Sequence, residues 1–179
     1  NSYTEALPEL DHRLTTIYKG LPPMGPRLTK ESARRALGLP TDVPILGSVS
    51  RLVSQKRLDR LLEAMVFLHE EAHLAVAGEG PLRGALGQHA RTVRLRDRVH
   101  FLGYLPNIAP FMDAVDALVI ASDREGMSGA MLQAMSRGVP VISTDVSGAR
   151  EALEPGTTDH APGLVTSFAP PEIASALNS

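Results

Sequence analysis

The sequence contains no cysteine, which excludes disulfide frameworks, thiolate metal centres and cysteine nucleophiles and is compatible with a reducing cytoplasm. Tryptophan is missing as well, and aromatic residues make up only 4% of the chain, so a core must be assembled from Leu, Val, Ala, Ile and Met, the palette of an aliphatic α/β domain. Neither sign of charge dominates: 18 Lys and Arg stand against 20 Asp and Glu. No global field is therefore available to hold nucleic acid, and a phosphate site has to be local. No apolar run approaches the roughly 18 residues needed to span a membrane, and the first residues lack the charged-then-apolar pattern of a signal peptide. What is present is a chain of 179 residues, the size of one domain, long enough to bury a core without a structural metal.

Residues 1–26 read as an entry strand, around Leu14 to Tyr18, followed by a linker. Three prolines between Leu21 and Pro26 remove backbone donors and fix φ, which rules out a helix or a central strand there. Residues 27–179 read as the folded body. Thr29-Lys30-Glu31-Ser32 caps a short helix ending near Gly38. Short apolar runs then alternate with helix-period stretches. The strand candidates are Ile45 to Val49, Leu74 to Ala77, Val99 to Leu102, Ala117 to Ala121, Val139 to Ser143 and Leu164 to Thr166. Helical spacing links Leu58, Leu61, Leu62, Met65 and Leu68, and helices also fit Leu82 to Val93, Ile108 to Ala114 and Ala130 to Arg137. Such an order forces parallel pairing with right-handed crossovers: a Rossmann-like open parallel sheet with helices on both faces. Ligands of such sheets bind outside the carboxyl ends of the strands, so the loops after Val49, Ala77, Leu102 and Ala121 are where chemistry is expected.

The first of these loops, Ser50-Arg51-Leu52-Val53-Ser54-Gln55-Lys56, puts two cations before a helix. Arg supplies a planar fork for phosphate oxygens, Lys a point charge, and the helix start adds free amides. Taken alone the pair fits a solvated basic loop better; only its position at a strand end argues for a diphosphate. The loop after Ala121 runs Ser122-Asp123-Arg124-Glu125-Gly126-Met127-Ser128-Gly129. Its glycines let a ligand approach the backbone, Ser128 suits a helix cap, and Glu125 with Gln133 suits the hydroxyls of a sugar or ribose. An equally good account has Glu125 complementing the helix dipole and Gln133 on the surface. Gly78-Glu79-Gly80-Pro81 makes a tight turn but lacks the spaced glycines and downstream acid of a dinucleotide fingerprint, so NAD is not indicated.

One pattern is refused. His69-Glu70-Glu71-Ala72-His73 matches the H-E-x-x-H of zinc peptidases, but His73 opens a strand and the preceding helix should end by about Glu71, so the histidines diverge. His12, His89, His100 and His160 are scattered, and no metal site is expected.

Taken in order, these segments resemble the carboxyl-terminal half of retaining nucleotide-sugar glycosyltransferases of the GT-B fold, the group 1 or family 4 type. Ile17-Tyr18-Lys19-Gly20 resembles the entry to the second domain. Ser50 to Lys56 resembles the family's G-R-L-x-x-x-K loop, and Ala77-Gly78-Glu79-Gly80-Pro81-Leu82 its G-x-G-P-L turn. Val99 to Tyr104 resembles the strand leading to the base site, Glu125 to Met135 the segment E-G-M-S-N-A-L-L-E-A-M, and Gly138 to Asp145 the strand that follows. The similarity spans about Thr16 to Leu177.

The resemblance implies that Arg51 and Lys56 hold the diphosphate of the sugar donor and stabilise the departing nucleotide, making a divalent metal or other cofactor unnecessary. It places Glu125 near the transferred sugar, as a catalytic residue alongside Arg51 and Lys56. Gln133 stands where the family's second Glu binds the ribose; an amide still bonds two hydroxyls but without charge assistance. Gly78, Gly80, Gly126, Met127, Ser128 and Gly129 would approach the phosphates or sugar, and Tyr104 and Leu105 the base. The donor would be UDP-, GDP- or ADP-linked. The acceptor would bind an amino-terminal domain that this chain does not supply, so turnover by the chain alone is not expected. The implied location is the cytoplasm, with any docking to the inner face of a membrane left to that other half. A sugar-nucleotide epimerase or phosphorylase on the same architecture is the alternative enzyme, and a non-catalytic nucleotide-sugar-binding domain, suggested by Gln133, the alternative without chemistry.

Overall fold

A computed structural model describes residues 20–154 and 162–178. The expected entry strand, His12 and His160 lie outside the described residues. Six parallel strands form one sheet: β1 (Ile45–Val49), β2 (His73–Ala77), β3 (Val99–Gly103), β4 (Ala117–Ile120), β5 (Val141–Thr144) and β6 (Gly163–Thr166). Their order across the sheet is β3-β2-β1-β4-β5-β6, so the direction of winding reverses between β1 and β4. That reversal opens the crevice in which doubly wound sheets take their ligands. The helices are α1 (Lys30–Ala36), α2 (Leu58–Met65), α3 (Arg83–Thr92), α4 (Ala109–Ala114), α5 (Gly129–Ser136), α6 (Ala149–Leu153) and α7 (Pro170–Leu177).

Two apolar layers sandwich the sheet because the strands alternate. Leu74 and Val76 face one layer, built with Leu58, Leu61, Leu62 and Met65 of α2, Leu86 of α3 and Ile173 of α7. Ala75 and Ala77 face the other, built with Ala33 of α1, Phe111 and Met112 of α4, Met131 of α5 and Leu153 of α6. Each fully buried Leu or Phe contributes roughly 1.5–3 kcal/mol, so the fold rests on aliphatic burial, as the composition requires. Gly47 in β1 lets α4 come close: a Cβ there would stand 2.9 Å from Phe111 Cε1.

The strands and helices fall within a residue or two of their expected positions, with instructive differences. Helix α2 stops at Met65 rather than near Glu71, since Leu68 reaches the core from a turn. His69 lies in that turn and His73 opens β2, so the two histidines share no helix, and no cluster of three metal-ligating side chains occurs among the described residues. Two helices beyond the sequence reading are short or proline-headed: α6 has five residues, and α7 opens on Pro170 and Pro171, where missing amide donors cost nothing.

The Pro-rich stretch forms neither helix nor strand but is strapped to the body. Arg137 pairs with Asp113 at 3.3 Å, with both side chains about 95% buried (4% and 5% exposed). Arg137 also donates to the carbonyls of Met24 (2.8 Å) and Gly25 (3.0 Å), while Asp113 accepts from the Leu28 amide at 3.0 Å. At the amino ends of the strands, far from the crevice, His73 Nδ1 and His100 Nε2 lie 2.9 Å apart. Burial lowers both pKa values, helped at His73 by Arg98 and at His100 by His73. A histidine harder to protonate folded than unfolded favours folding while neutral, and that contribution shrinks as pH drops below the unfolded value of about 6.5. Melting temperature should therefore fall between pH 7 and pH 5, and a His100→Gln variant should show a shallower decline; an identical decline would remove the pair from the account.

Candidate functional site

At the carboxyl ends of β1, β2 and β3 lies an open cavity of about 590 Å³, bordered by Val49, Ser50, Arg51, Gly78, Glu79, Tyr104, Leu105 and, from α5, Gln133. The volume suits a nucleotide-sized ligand. Beside it, sharing Val49 and Ser50, a narrow cleft is bordered by Lys56, Ser122, Glu125 and Ser128. The two compartments straddle the point where the sheet reverses its winding.

Backbone contact builds the first wall. The Ser50 amide donates to the Ala77 carbonyl (3.1 Å), Leu52 to Glu79 (2.8 Å), and Leu82 back to Leu52 (3.1 Å). The loops after β1 and β2 thus lie against each other as tightly as paired strands, leaving no room for side chains between them. Gly78, at φ +138°, would drive a Cβ deep into the Ser50 carbonyl oxygen, and a Cβ on Gly80 would stand 2.5 Å from the Leu52 oxygen. The turn carries more than its ordinary appearance in the sequence suggests. Gly78 borders the cavity while Gly80 serves the loop contact behind it.

Charged side chains build the second wall. Arg60, buried, donates to the Ala121 carbonyl (2.8 Å) and to Asp123 (2.7 Å), and Arg57 reaches Asp123 from the other side at 3.3 Å. Gln55 adds two bonds, accepting from the Asp123 amide and donating to the Arg124 carbonyl. The Arg60 hydrogen bond, with Arg57 behind it, holds the Asp123 carboxyl below its usual range. Arg57 takes φ +47° to turn the chain into α2, an uncommon conformation for a residue with a side chain. Together these contacts hold the loop after β4 against the loop after β1 and set Glu125 on Lys56 in an ion pair, its side chains 17% and 15% exposed. None of Arg57, Arg60 and Asp123 stood out in the sequence, because each looks like an ordinary charge at a helix start.

The expected residues divide accordingly. Arg51, Tyr104, Leu105, Gly78 and Gln133 meet at the open cavity; Lys56, Glu125 and Ser128 meet at the cleft. Glu125 and Gln133 border different compartments, the cleft and the cavity respectively. Gly80, Gly126, Met127 and Gly129 border neither. Ser128 caps α5 by accepting from the Met131 amide at 3.4 Å. Arg51 is exposed and has no ion pair among the described residues, whereas Lys56 is already matched by Glu125. Tyr104 is 70% exposed, a ring standing open at the cavity mouth. Its amide faces Glu79 Oε1 at 3.4 Å.

A sequence profile of the glycosyl transferases group 1 matches residues 43–179. The chain belongs to this family. LpsE, a lipopolysaccharide core biosynthesis glycosyltransferase of Rhizobium meliloti (strain 1021), is 32% identical to this group 1 chain over 123 residues, 69% of this chain and 36% of LpsE. The 2-deoxystreptamine glucosyltransferase of Streptomyces kanamyceticus is 31% identical over 147 residues, 78% of this chain and 38% of that protein. This chain thus spans little more than a third of these relatives. Anabaena Alr3699/HepE, solved in complex with UDP and glucose, superposes with a TM-score of 0.74 over 83% of this chain and 41% of its own, at 27% identity. The C-terminal domain of the group 1 protein LpcC of Francisella tularensis shares the fold, with a TM-score of 0.70 over 86% of this chain and 82% of its own, at 21% identity. The group 1 chain described here therefore has the fold of a carboxyl-terminal GT-B domain. No helix among its described residues is long and apolar enough to cross a membrane.

Proposed function

We propose that this domain binds a nucleoside-diphosphate sugar, the nucleoside in the open cavity and the diphosphate between Arg51 and Lys56, with the sugar turned toward Glu125 and Ser128. The observation that carries the reading is Arg51, a cation with no partner among the described residues, on the rim of a nucleotide-sized cavity and in the same loop as Lys56. Support comes from HepE, whose solved complexes contain UDP or UDP-glucose. In transfer, charge collects on the leaving diphosphate as the glycosidic bond breaks. Two side-chain cations that meet that charge would stabilise it, and in this reading the reaction needs neither metal nor cofactor beyond the sugar donor. Retention of anomeric configuration follows the resemblance to the retaining families, and the acceptor would be bound by a domain outside this chain.

Calorimetric titration with UDP, GDP and ADP tests the reading. One of the three should bind saturably, and Arg51→Ala should weaken it roughly tenfold or more, the worth of a hydrogen bond to a charged group. A folded chain that binds none of them, or an Arg51→Ala chain that binds as well as the parent, would contradict it.

A further inference from the structure

Ser50 carries a hydroxyl that the fold does not use. Its Oγ is shut off from solvent and has no hydrogen-bond partner among the described residues, although its own amide is engaged by Ala77. Buried hydroxyls in β5 are satisfied: Thr144 donates to the Ser122 carbonyl at 2.8 Å, and Ser143 to the Thr144 carbonyl at 2.9 Å. A buried hydroxyl without a partner is uncommon and unfavourable, since it has given up water for nothing. Its position offers the reason. Ser50 borders both the open cavity and the narrow cleft, and so stands at the junction between them, directly before Arg51 and at the carboxyl end of β1. In the G-R-L-x-x-x-K pattern that this loop resembles, the same position is glycine, so the hydroxyl is an addition to that pattern.

We propose that Ser50 is a ligand-positioning residue, its hydroxyl donating to a phosphate oxygen of the nucleoside diphosphate where the cavity meets the cleft. This rests on the reading of the site given above. The bond requires Oγ to turn about χ1 toward the ligand, and a phosphate oxygen is an acceptor that carries no proton. The bond converts a group that opposes folding into one that favours the ligand. Stability and affinity are therefore coupled with opposite signs at this residue.

The test uses Ser50→Ala in the 179-residue chain, with thermal unfolding and with calorimetric titration against UDP, GDP and ADP and their parent nucleosides. The expected result is a melting temperature unchanged or raised, affinity for the favoured diphosphate about tenfold weaker, and affinity for its nucleoside unaltered. Equal affinity of parent and variant for the diphosphate overturns the inference and leaves the reading of the site standing. So does a loss shared equally by nucleoside and diphosphate, which would place the hydroxyl at the base, and so does a weaker affinity accompanied by a melting temperature several degrees lower, which would make Ser50 a structural residue. A folded parent chain that binds no nucleotide overturns the inference together with the reading beneath it.

Discussion

Gly78→Ala is expected to destabilise the chain by about 3 kcal/mol or more, lowering its melting temperature by roughly 10 °C. Two independent costs meet at this residue. Its φ of +138° is one that residues with a Cβ rarely adopt, and the added methyl group would collide with the Ser50 carbonyl oxygen. Neither cost can be relieved by a side-chain rotation, because the obstacle is backbone held by hydrogen bonds from Leu52 to Glu79 and from Leu82 to Leu52. Whatever relaxation occurs must push the loops after β1 and β2 apart, and those loops form one wall of the site, so nucleotide binding should fall with stability. Gly84→Ala is the control. Gly84 lies in α3 with open space where a Cβ would go, and alanine there should leave stability unchanged or raise it by up to about 1 kcal/mol. Thermal unfolding of the two variants checks both statements; a Gly78→Ala chain as stable as Gly84→Ala would mean that the loop contact is dispensable.

The sheet was legible because its strands are short apolar runs bounded by turn signals and its helices repeat apolar residues at helical spacing. Ser128 as a cap and His73 as a strand residue followed from the same local rules. Less legible was everything that depends on which loop lies beside which. The spacing of Glu125 and Gln133 says that they are one helix start apart but not that β1 and its loop divide their surroundings into two compartments. The pinning of Asp123 by Arg57 and Arg60 spans more than 60 residues of sequence, and no local pattern announces it. Gly78 and Gly80 read as an unremarkable turn because their role is to leave room for a neighbour on another strand. The Asp113–Arg137 pair escaped notice for a further reason: buried charges look like surface charges in sequence until their partners are known.

Gln133 bears on whether the site still works. Gln133 borders the open cavity together with Arg51 and Tyr104, in the compartment proposed for the nucleoside, where an amide can donate to one ribose hydroxyl and accept from another. That placement is the one the proposed nucleoside site requires.

The Lys56–Glu125 pair carries the second large expectation. Lys56 and Glu125 neutralise each other in the confined cleft, so a diphosphate that reaches Lys56 must share its ammonium, which has three donors, with a carboxylate that repels it. Lys56→Ala removes the cation and leaves Glu125 unpaired beside the arriving anion; Glu125→Gln keeps the shape and removes the repulsion. The two substitutions should therefore move nucleotide affinity in opposite directions. From the worth of hydrogen bonds to charged groups, the first should weaken binding of the favoured nucleoside diphosphate by roughly 10- to 100-fold. The second should tighten it several-fold.

The most direct test of the account is calorimetric titration of the parent chain, Lys56→Ala and Glu125→Gln with the nucleoside diphosphate the parent prefers. The account predicts affinity falling in the lysine variant and rising in the glutamine variant. Unchanged affinity in both, with all three chains folded, would place the diphosphate elsewhere and contradict the account.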